Sequence, residues 1–457
     1  MPLASGTPLR ERAFQSARFA TMASAISILL SIPVSQILLG VALLATAIAR
    51  PKLRWPPVWI PLTLFLGWLL VSLAASPEPN LGFPQVKKLY VFTLLPVALA
   101  VLPRTRDYLY VFGGWMAVAS ASCLLAVGQF GWKFLVARET SANFYEVYVA
   151  ERITGFMSHW MTFSGQAMMV ALVLTSYLLF GPILRPVWRA VCWTLLGLLL
   201  MGIVLGFTRG IWIATAIGAF PLLWCYRRWI AFAAPVVFVL ALAFGPASVQ
   251  DRFLSIFRPH GELDSNQHRV VTFATGMEMM KAHPWFGIGP ERVGSHVEQY
   301  APAWIHRPFP EGYYGHLHNI YIHYAAERGV PALVFLLDIF AVVLTQQVRV
   351  LRQHHERRSP TRACHLGVFS VVVAIMVGGI FEYNLGDSEI LTMFLVVVAA
   401  GYSSLSASGS LVASGSGVVS PTGSSAAGAL DAEAEAPSRI NSSSSSSVSG
   451  SLSTSAL

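Results

Sequence analysis

The apolar positions of this chain do not alternate with polar ones, nor do they mark a single helical face; they come in long unbroken blocks. Runs at 19–32, 34–49, 57–75, 86–102, 107–130, 158–181, 188–207, 210–227, 229–246, 318–348, 364–382 and 388–404 are dominated by Leu, Val, Ala, Ile and Phe. A helix needs roughly 20 mostly apolar residues to cross a bilayer, whereas a transmembrane strand would show about ten residues of alternating polarity. The pattern therefore predicts an all-α polytopic membrane protein of about twelve transmembrane helices. The first two runs are short and meet at Pro33, so a broken hairpin is expected there. One polar island, Pro246 to Leu317, interrupts the blocks. Inside it Val270, Val271, Phe273, Ala274, Met277 and Met280 recur at near-helical spacing, with Ser265 and Asn266 as candidate caps and Pro284 as a stop. This predicts a short amphipathic helix lying along the membrane surface or over a cavity. After Ser403 the chain turns to Ser, Gly and Ala with a few acids, which cannot bury enough apolar surface to order itself. The resulting division is an N-terminus at 1–18, spans one to nine at 19–246, a loop domain at 247–317, spans ten to twelve at 318–404, and a disordered cytoplasmic tail at 405–457.

Composition agrees with this pattern: 55% of residues are hydrophobic and only 12% are charged. The formal charge of +9 is spread over short clusters between apolar runs and forms no aromatic-interleaved patch, so it reports topology and not a nucleic-acid partner. Arg10/Arg12/Arg18, Arg50/Lys52/Arg54, Arg104/Arg106, Arg185/Arg189, Arg227/Arg228 and Arg349/Arg352/Arg357/Arg358/Arg362 fall at alternate connections. By the positive-inside rule these are cytoplasmic, as are both termini. The large loop carries six Lys and Arg against seven Asp and Glu and belongs outside. The basic N-terminus is not followed by a small-residue cleavage site, so the first run is expected to be retained. The four cysteines, Cys123, Cys192, Cys225 and Cys364, avoid the loop and show neither a disulfide framework nor a zinc spacing.

Candidate chemistry gathers at the outer face. Arg209 breaks an otherwise apolar stretch from Val187 to Tyr226 on the side where cations are disfavoured; it is either a snorkelling side chain or an anion clamp. Arg269 opens the loop helix, where free N–H groups also favour anions; alternatively it is a solvated surface arginine. Two guanidinium groups from different elements could grip a pyrophosphate through their forked donors. His316 and His318 stand where the loop re-enters an apolar run. A metal would need further ligands that the spacing does not show, and a capped or packed histidine is the plain alternative. The favoured role for His318 is general base, since imidazole titrates near neutrality. Asn319 and Glu327 could orient it or bind sugar hydroxyls, and His323 is a candidate for simple packing. Arg152, Gly155 and His159 form a further polar mouth, and Lys87 and Lys88 begin the fourth span against the charge bias. No phosphate-binding P-loop, dinucleotide glycine pattern or serine elbow is present.

These residues resemble the O-antigen ligase and O-antigen polymerase family of bacterial membrane glycosyltransferases. The resemblance rests on a large loop before the last spans, Thr208-Arg209-Gly210 before a span, Arg269 opening a loop helix, His283-Pro-Trp-Phe-Gly-Ile-Gly289, and His316-Leu-His-Asn319 leading to Glu327-Arg-Gly329. It covers roughly residues 20 to 404. The ligase pattern His-Asn, nine residues, Gly-x-x-Gly is met by His318, Asn319 and Gly329, with Ala332 in the last place. The resemblance implies a GT-C-like fold in the bacterial inner membrane, with its active site facing the periplasm. It implies a metal-independent inverting transfer of glycan from undecaprenyl pyrophosphate to a lipid A-core hydroxyl, with no cofactor. His318 would be the catalytic base, Arg209 and Arg269 would hold the pyrophosphate, and His316, Asn319, Arg152, Lys87, Lys88 and Glu327 would support them. Polymerase and protein O-oligosaccharyltransferase activities belong to the same family. A lipid-linked-sugar flippase is the competitor from another class, but it would place its charges deeper within the spans.

Overall fold

A computed structural model describes residues 8–140, 143–255, 266–310, 312–354 and 356–415. Among them every regular element is helical. In chain order these are α1 (Pro8–Ser27), α2 (Ile32–Ala49), α3 (Trp59–Ala75), α4 (Phe83–Phe92), α5 (Leu94–Val101), α6 (Thr105–Glu139), α7 (Phe144–Ala150), α8 (Trp160–Phe180) and α9 (Pro186–Leu205). The second half holds α10 (Arg209–Tyr226), α11 (Arg228–Ala243), α12 (Ala247–Leu254), α13 (Asn266–Ala282), α14 (Val293–Tyr300), α15 (Ile320–Arg328), α16 (Val330–Gln353), α17 (Pro360–Phe381) and α18 (Ser388–Gly415). Seven segments of the described residues are long and apolar enough to cross a membrane, and three shorter apolar helices accompany them. The chain is a helical membrane protein.

Burial separates central from peripheral helices. The apolar windows of α8 and α17 are 83% and 67% buried, against 28% for α2 and α9. On α2 the exposed residues Val34, Ile37, Val41, Leu44 and Ile48 follow one another at helical spacing and form an apolar stripe on the outside, as a lipid-facing helix requires. The central helices close on small residues. A Cβ added at Gly218 of α10 would lie 2.7 Å from the Ala374 Cβ of α17, so larger side chains would force this pair apart.

Several boundaries differ from the sequence expectation. The first two runs form a hairpin, with the turn at 28–31 and Pro33 in the first turn of α2, where its missing N–H costs nothing. The fourth run is divided at Thr93 into α4 and α5. The expected span at 318–348 is two helices. α15 stops at Gly329, whose φ of 84° is reserved in practice for glycine, and Pro331 then opens α16. α18 continues through 405–415, past the expected start of the tail, while 416–457 lie outside the described residues.

The His283-to-Gly289 segment explains itself at this break. The Ile288 and Gly289 amides donate to the carbonyls of Ala326 and Glu327 at 2.9 and 3.0 Å, and the Val330 amide donates to the Pro284 carbonyl at 2.8 Å. Gly287 sits so close that an added Cβ would lie 2.3 Å from the Glu327 carbonyl carbon. From α3, Trp68 donates to the Arg328 carbonyl at 2.9 Å and Ser72 to the Phe286 carbonyl at 2.7 Å. The glycine-rich loop thus satisfies the backbone groups that the broken helix leaves open. It fixes α15, the element that carries the mouth of the site.

Candidate active site at the mouth of the helical bundle

The site begins with a helix cap. Asn319 Oδ1 accepts from the amides of Tyr321 and Ile322, both at 3.0 Å, and its Nδ2 donates to the Ile380 carbonyl at 3.1 Å. One side chain therefore starts α15 and ties it to the end of α17. Asn319 has spent its polar groups on this and is a structural anchor in this arrangement. Immediately before it, His318 has φ of 48°, in the left-handed region that few side chains other than Asn, Asp and His adopt. From this turn the imidazole Nδ1 lies 3.0 and 3.2 Å from the two carboxylate oxygens of Glu382, the residue after α17. Nε2 lies 3.1 Å from the Tyr313 carbonyl. His316 Nε2 is 3.9 Å from the same Glu382 Oε1, and its Nδ1 accepts the His318 amide at a long 3.4 Å.

Arg269, on α13, places a guanidinium nitrogen 4.0 Å from Glu382 Oε2. Arg209 is buried at the first residue of α10, and the reversal before it falls at Phe207, with φ of 48°. Arg209 donates to the carbonyl and hydroxyl of Ser255 at 2.7 and 3.0 Å and to Asn266 Oδ1 at 2.9 Å. Asn266 begins α13, so Arg209 holds the helix that presents Arg269. Arg209 is thus held by protein partners and is not a freely exposed side chain. Arg252 of α12 donates to the Phe207 carbonyl at 2.9 Å, and Arg152 lies over the Trp160 ring at 5.0 Å with its Nε buried and unpartnered.

The electrostatics follow from this crowding. Burial lowers the Arg152 pKa to about 9, helped by the positive charges of Arg252, Arg209 and Arg269. Four guanidinium groups thus feel one another, a field suited to a polyanion. Burial pushes the Glu382 carboxyl up, but the hydrogen bond from His318 and the charges of His318, His316 and Arg269 outweigh it and hold the group below its ordinary value. Glu382 is therefore ionised at neutral pH. Burial and His318 push His316 down to about 3, so it is neutral there. His268, whose Nε2 lies 2.9 Å from the Tyr313 carbonyl, is lowered to about 4 by burial and His318.

The structure gathers His318, His316, Arg269, Arg209 and Arg152 at one end of the bundle and separates others from them. Glu327 is fully buried and points into α15's own support: it accepts from Arg328 Nε at 3.0 Å and from the Glu291 amide at 2.7 Å. It does not orient His318. His323, 3.6 Å from Glu327, packs on Tyr383 with ring centroids 3.9 Å apart. Lys88 donates to the Gly386 carbonyl at 3.1 Å, in the connection that follows Glu382, and Lys87 is exposed. Sequence reading missed Glu382, Arg252 and Tyr313. An acid at the outer end of a span was the available signal for Glu382, but its partner lies 64 positions away.

The segment that holds most of this site has relatives. Residues 194–337 match the family model described as Wzy_C, O-antigen ligase. This match supports the O-antigen ligase and polymerase family. It runs from α9 into α16 and includes Arg209, Arg252, Arg269, His316 and His318, but not Arg152 or Glu382. The family points to glycosyltransferase-type activity on lipid-linked glycans in O-antigen processing. No curated protein matches the chain.

Proposed function

We propose that this protein is an O-antigen ligase, moving glycan from undecaprenyl pyrophosphate to a sugar hydroxyl of lipid A-core at the periplasmic face of the inner membrane. The observation that carries the reading is the His318–Glu382 pair, set at the mouth of the bundle beside buried arginines. Glu382 accepts from Nδ1, which fixes the imidazole and leaves Nε2 as the proton acceptor. An acceptor hydroxyl that displaces the Tyr313 carbonyl meets Nε2 directly. His318 takes its proton as the oxygen attacks the anomeric carbon. The bond from that carbon to the pyrophosphate oxygen breaks on the opposite face, so the configuration inverts. The electron pair leaves with undecaprenyl pyrophosphate, and Glu382 stabilises the imidazolium that forms. Arg209 and Arg269, with Arg152 and Arg252 behind them, offset the charge on the departing pyrophosphate. This division of labour asks for no metal and no cofactor.

The test is reconstitution of the purified protein with lipid-linked glycan and lipid A-core in chelator. Transfer to lipid A-core is the expected result. Elongation of the lipid-linked glycan without any modified lipid A-core would instead identify a polymerase, and neither product in a folded protein would reject the reading.

A further inference from the structure

The same corner carries a second chemistry. One nitrogen each of His316 and His318 and a Glu382 oxygen lie within 4.8 Å of one another, a set of two imidazoles and one carboxylate that could hold a metal ion; His318 Nδ1 and His316 Nε2 stand 3.0 and 3.9 Å from the same Glu382 Oε1. We propose that these three residues form an inhibitory site for a borderline-soft divalent ion of the zinc type, and that the ion silences the transferase by occupying the base. The inhibitory half of this proposal rests on the general-base reading of His318; the binding half does not.

Two observations support it. The ligand set is that of open zinc sites, in which three imidazoles, or two imidazoles and a carboxylate, leave a position for water. The second observation concerns the outer partners. A metal-bound imidazole usually donates its other N–H to a carbonyl or carboxylate, which fixes ring and tautomer. With an ion on Nδ1, His318 would donate from Nε2 to the Tyr313 carbonyl, which stands 3.1 Å away. The contact that must open for His318 to act as a base is thus the contact that suits a bound ion. Loading therefore closes the site by locking Nε2, the proton acceptor, as a donor, and it takes Glu382 away from the Nδ1–H that would otherwise orient the ring and stabilise the imidazolium. Two features act against binding. Arg269 lies 4.0 Å from the second Glu382 oxygen and repels a cation, and His316 must move its proton to Nδ1, giving up the 3.4 Å contact with the His318 amide. Both favour an ion that is held reversibly.

The probe is Co2+, whose visible absorption reports tetrahedral binding, followed by displacement with Zn2+. The full chain in detergent, stripped with chelator, is expected to show saturable cobalt bands that Zn2+ removes. His316→Ala and Glu382→Gln should each weaken binding by about 10- to 100-fold or more, since even outer-shell changes cost that much. His316→Cys keeps a ligand and should retain binding with an added thiolate-to-cobalt band, which separates ligand loss from misfolding. In the transfer assay Zn2+ should inhibit the wild type and chelator restore it. The residual transfer of His316→Ala, whatever its rate, should have lost zinc sensitivity. Absent or unsaturable cobalt bands in the wild type, or bands unchanged in both ligand-removing variants, would overturn the site. Cobalt binding with transfer indifferent to Zn2+ would overturn the inhibitory role. Because the spectrum needs no turnover, failure of the base assignment would be seen separately, as transfer retained by His318→Ala.

Discussion

Two histidine–glutamate pairs lie five residues apart in this chain and do different work. His318 meets Glu382 at 3.0 Å at the mouth of the bundle, and both side chains keep some contact with the outside, 13% and 14% exposed. His323 faces Glu327 at 3.6 Å one turn into α15, with exposures of 3% and 1%. Glu327 is saturated by Arg328 and a backbone amide, and Arg328 in turn donates to Gln85 Oε1 at 2.9 Å and lies over the Tyr324 ring at 4.6 Å. The buried pair is shut off from the outside and its carboxylate is engaged within the protein, a position suited to holding the helix. The outer pair faces a carbonyl that can give way and a group of arginines that repel one another. Residue type is shared between them; access and unspent charge are not, and those decide which pair can do chemistry.

Substitutions can break this contrast. The largest effect on stability is expected from Glu327→Gln, which leaves the Arg328 charge buried without its partner. Loss of one member of a buried pair costs about 3–5 kcal/mol, so the variant should melt at a much lower temperature while the folded fraction transfers glycan normally. Abolished transfer in a protein that melts normally would move the buried pair into the chemistry. At the mouth the balance reverses. Glu382→Gln should lower transfer by roughly 10²-fold or more, because an amide can hold the wrong tautomer and cannot stabilise the imidazolium, with little change in melting. A variant that is unstable but active per folded molecule would make Glu382 a structural residue like Glu327.

Smaller effects sharpen the picture. Arg209→Lys keeps a charge but loses the fork that spans Ser255 and Asn266, so transfer should fall by about tenfold or more while donor binding weakens. Transfer at the wild-type rate in both Arg209→Lys and Arg209→Ala would remove Arg209 from the leaving-group site. Asn319→Ala removes an N-cap, worth about 1 kcal/mol, and frees α15 from the Ile380 carbonyl. A modest fall in melting temperature with a partial loss of transfer is expected. Unchanged melting would mean that the cap contributes nothing to α15.

What could be read from the sequence follows from the same physics. Arg209 stood out because it interrupts an apolar block and His318 because it stands where the loop re-enters one, places where a polar side chain is costly and invites a functional reading. Arg269 drew attention as the opening of a loop helix, and α13 covers the expected segment, although its buried face is formed by His268, Val271, Thr272, Thr275, Gly276 and Met279 while Val270 and Phe273 are exposed. Glu382 was not legible. An acid just outside a span breaks no pattern, and its meeting with His318 depends on how α15 and α17 pack. The division of the tenth run at Gly329 was signalled by Glu327-Arg328-Gly329 and Pro331, but the length of the apolar run around them read as one span. The role of the His283-to-Gly289 segment was hidden because its partners are backbone groups, which carry no sequence signature. Glu327 was misread for a related reason: its position near His318 in the chain gave no sign that Arg328 and the Glu291 amide would claim it.

The most direct measurement is transfer by purified His318→Ala, with lipid-linked glycan and lipid A-core in chelator and donor binding measured on the same protein. Loss of general-base assistance is typically worth 10²- to 10⁴-fold. The account predicts a fall of that size, with the donor still bound through the arginines and the melting temperature close to wild type. Transfer near the wild-type rate by a folded, donor-binding His318→Ala would contradict it.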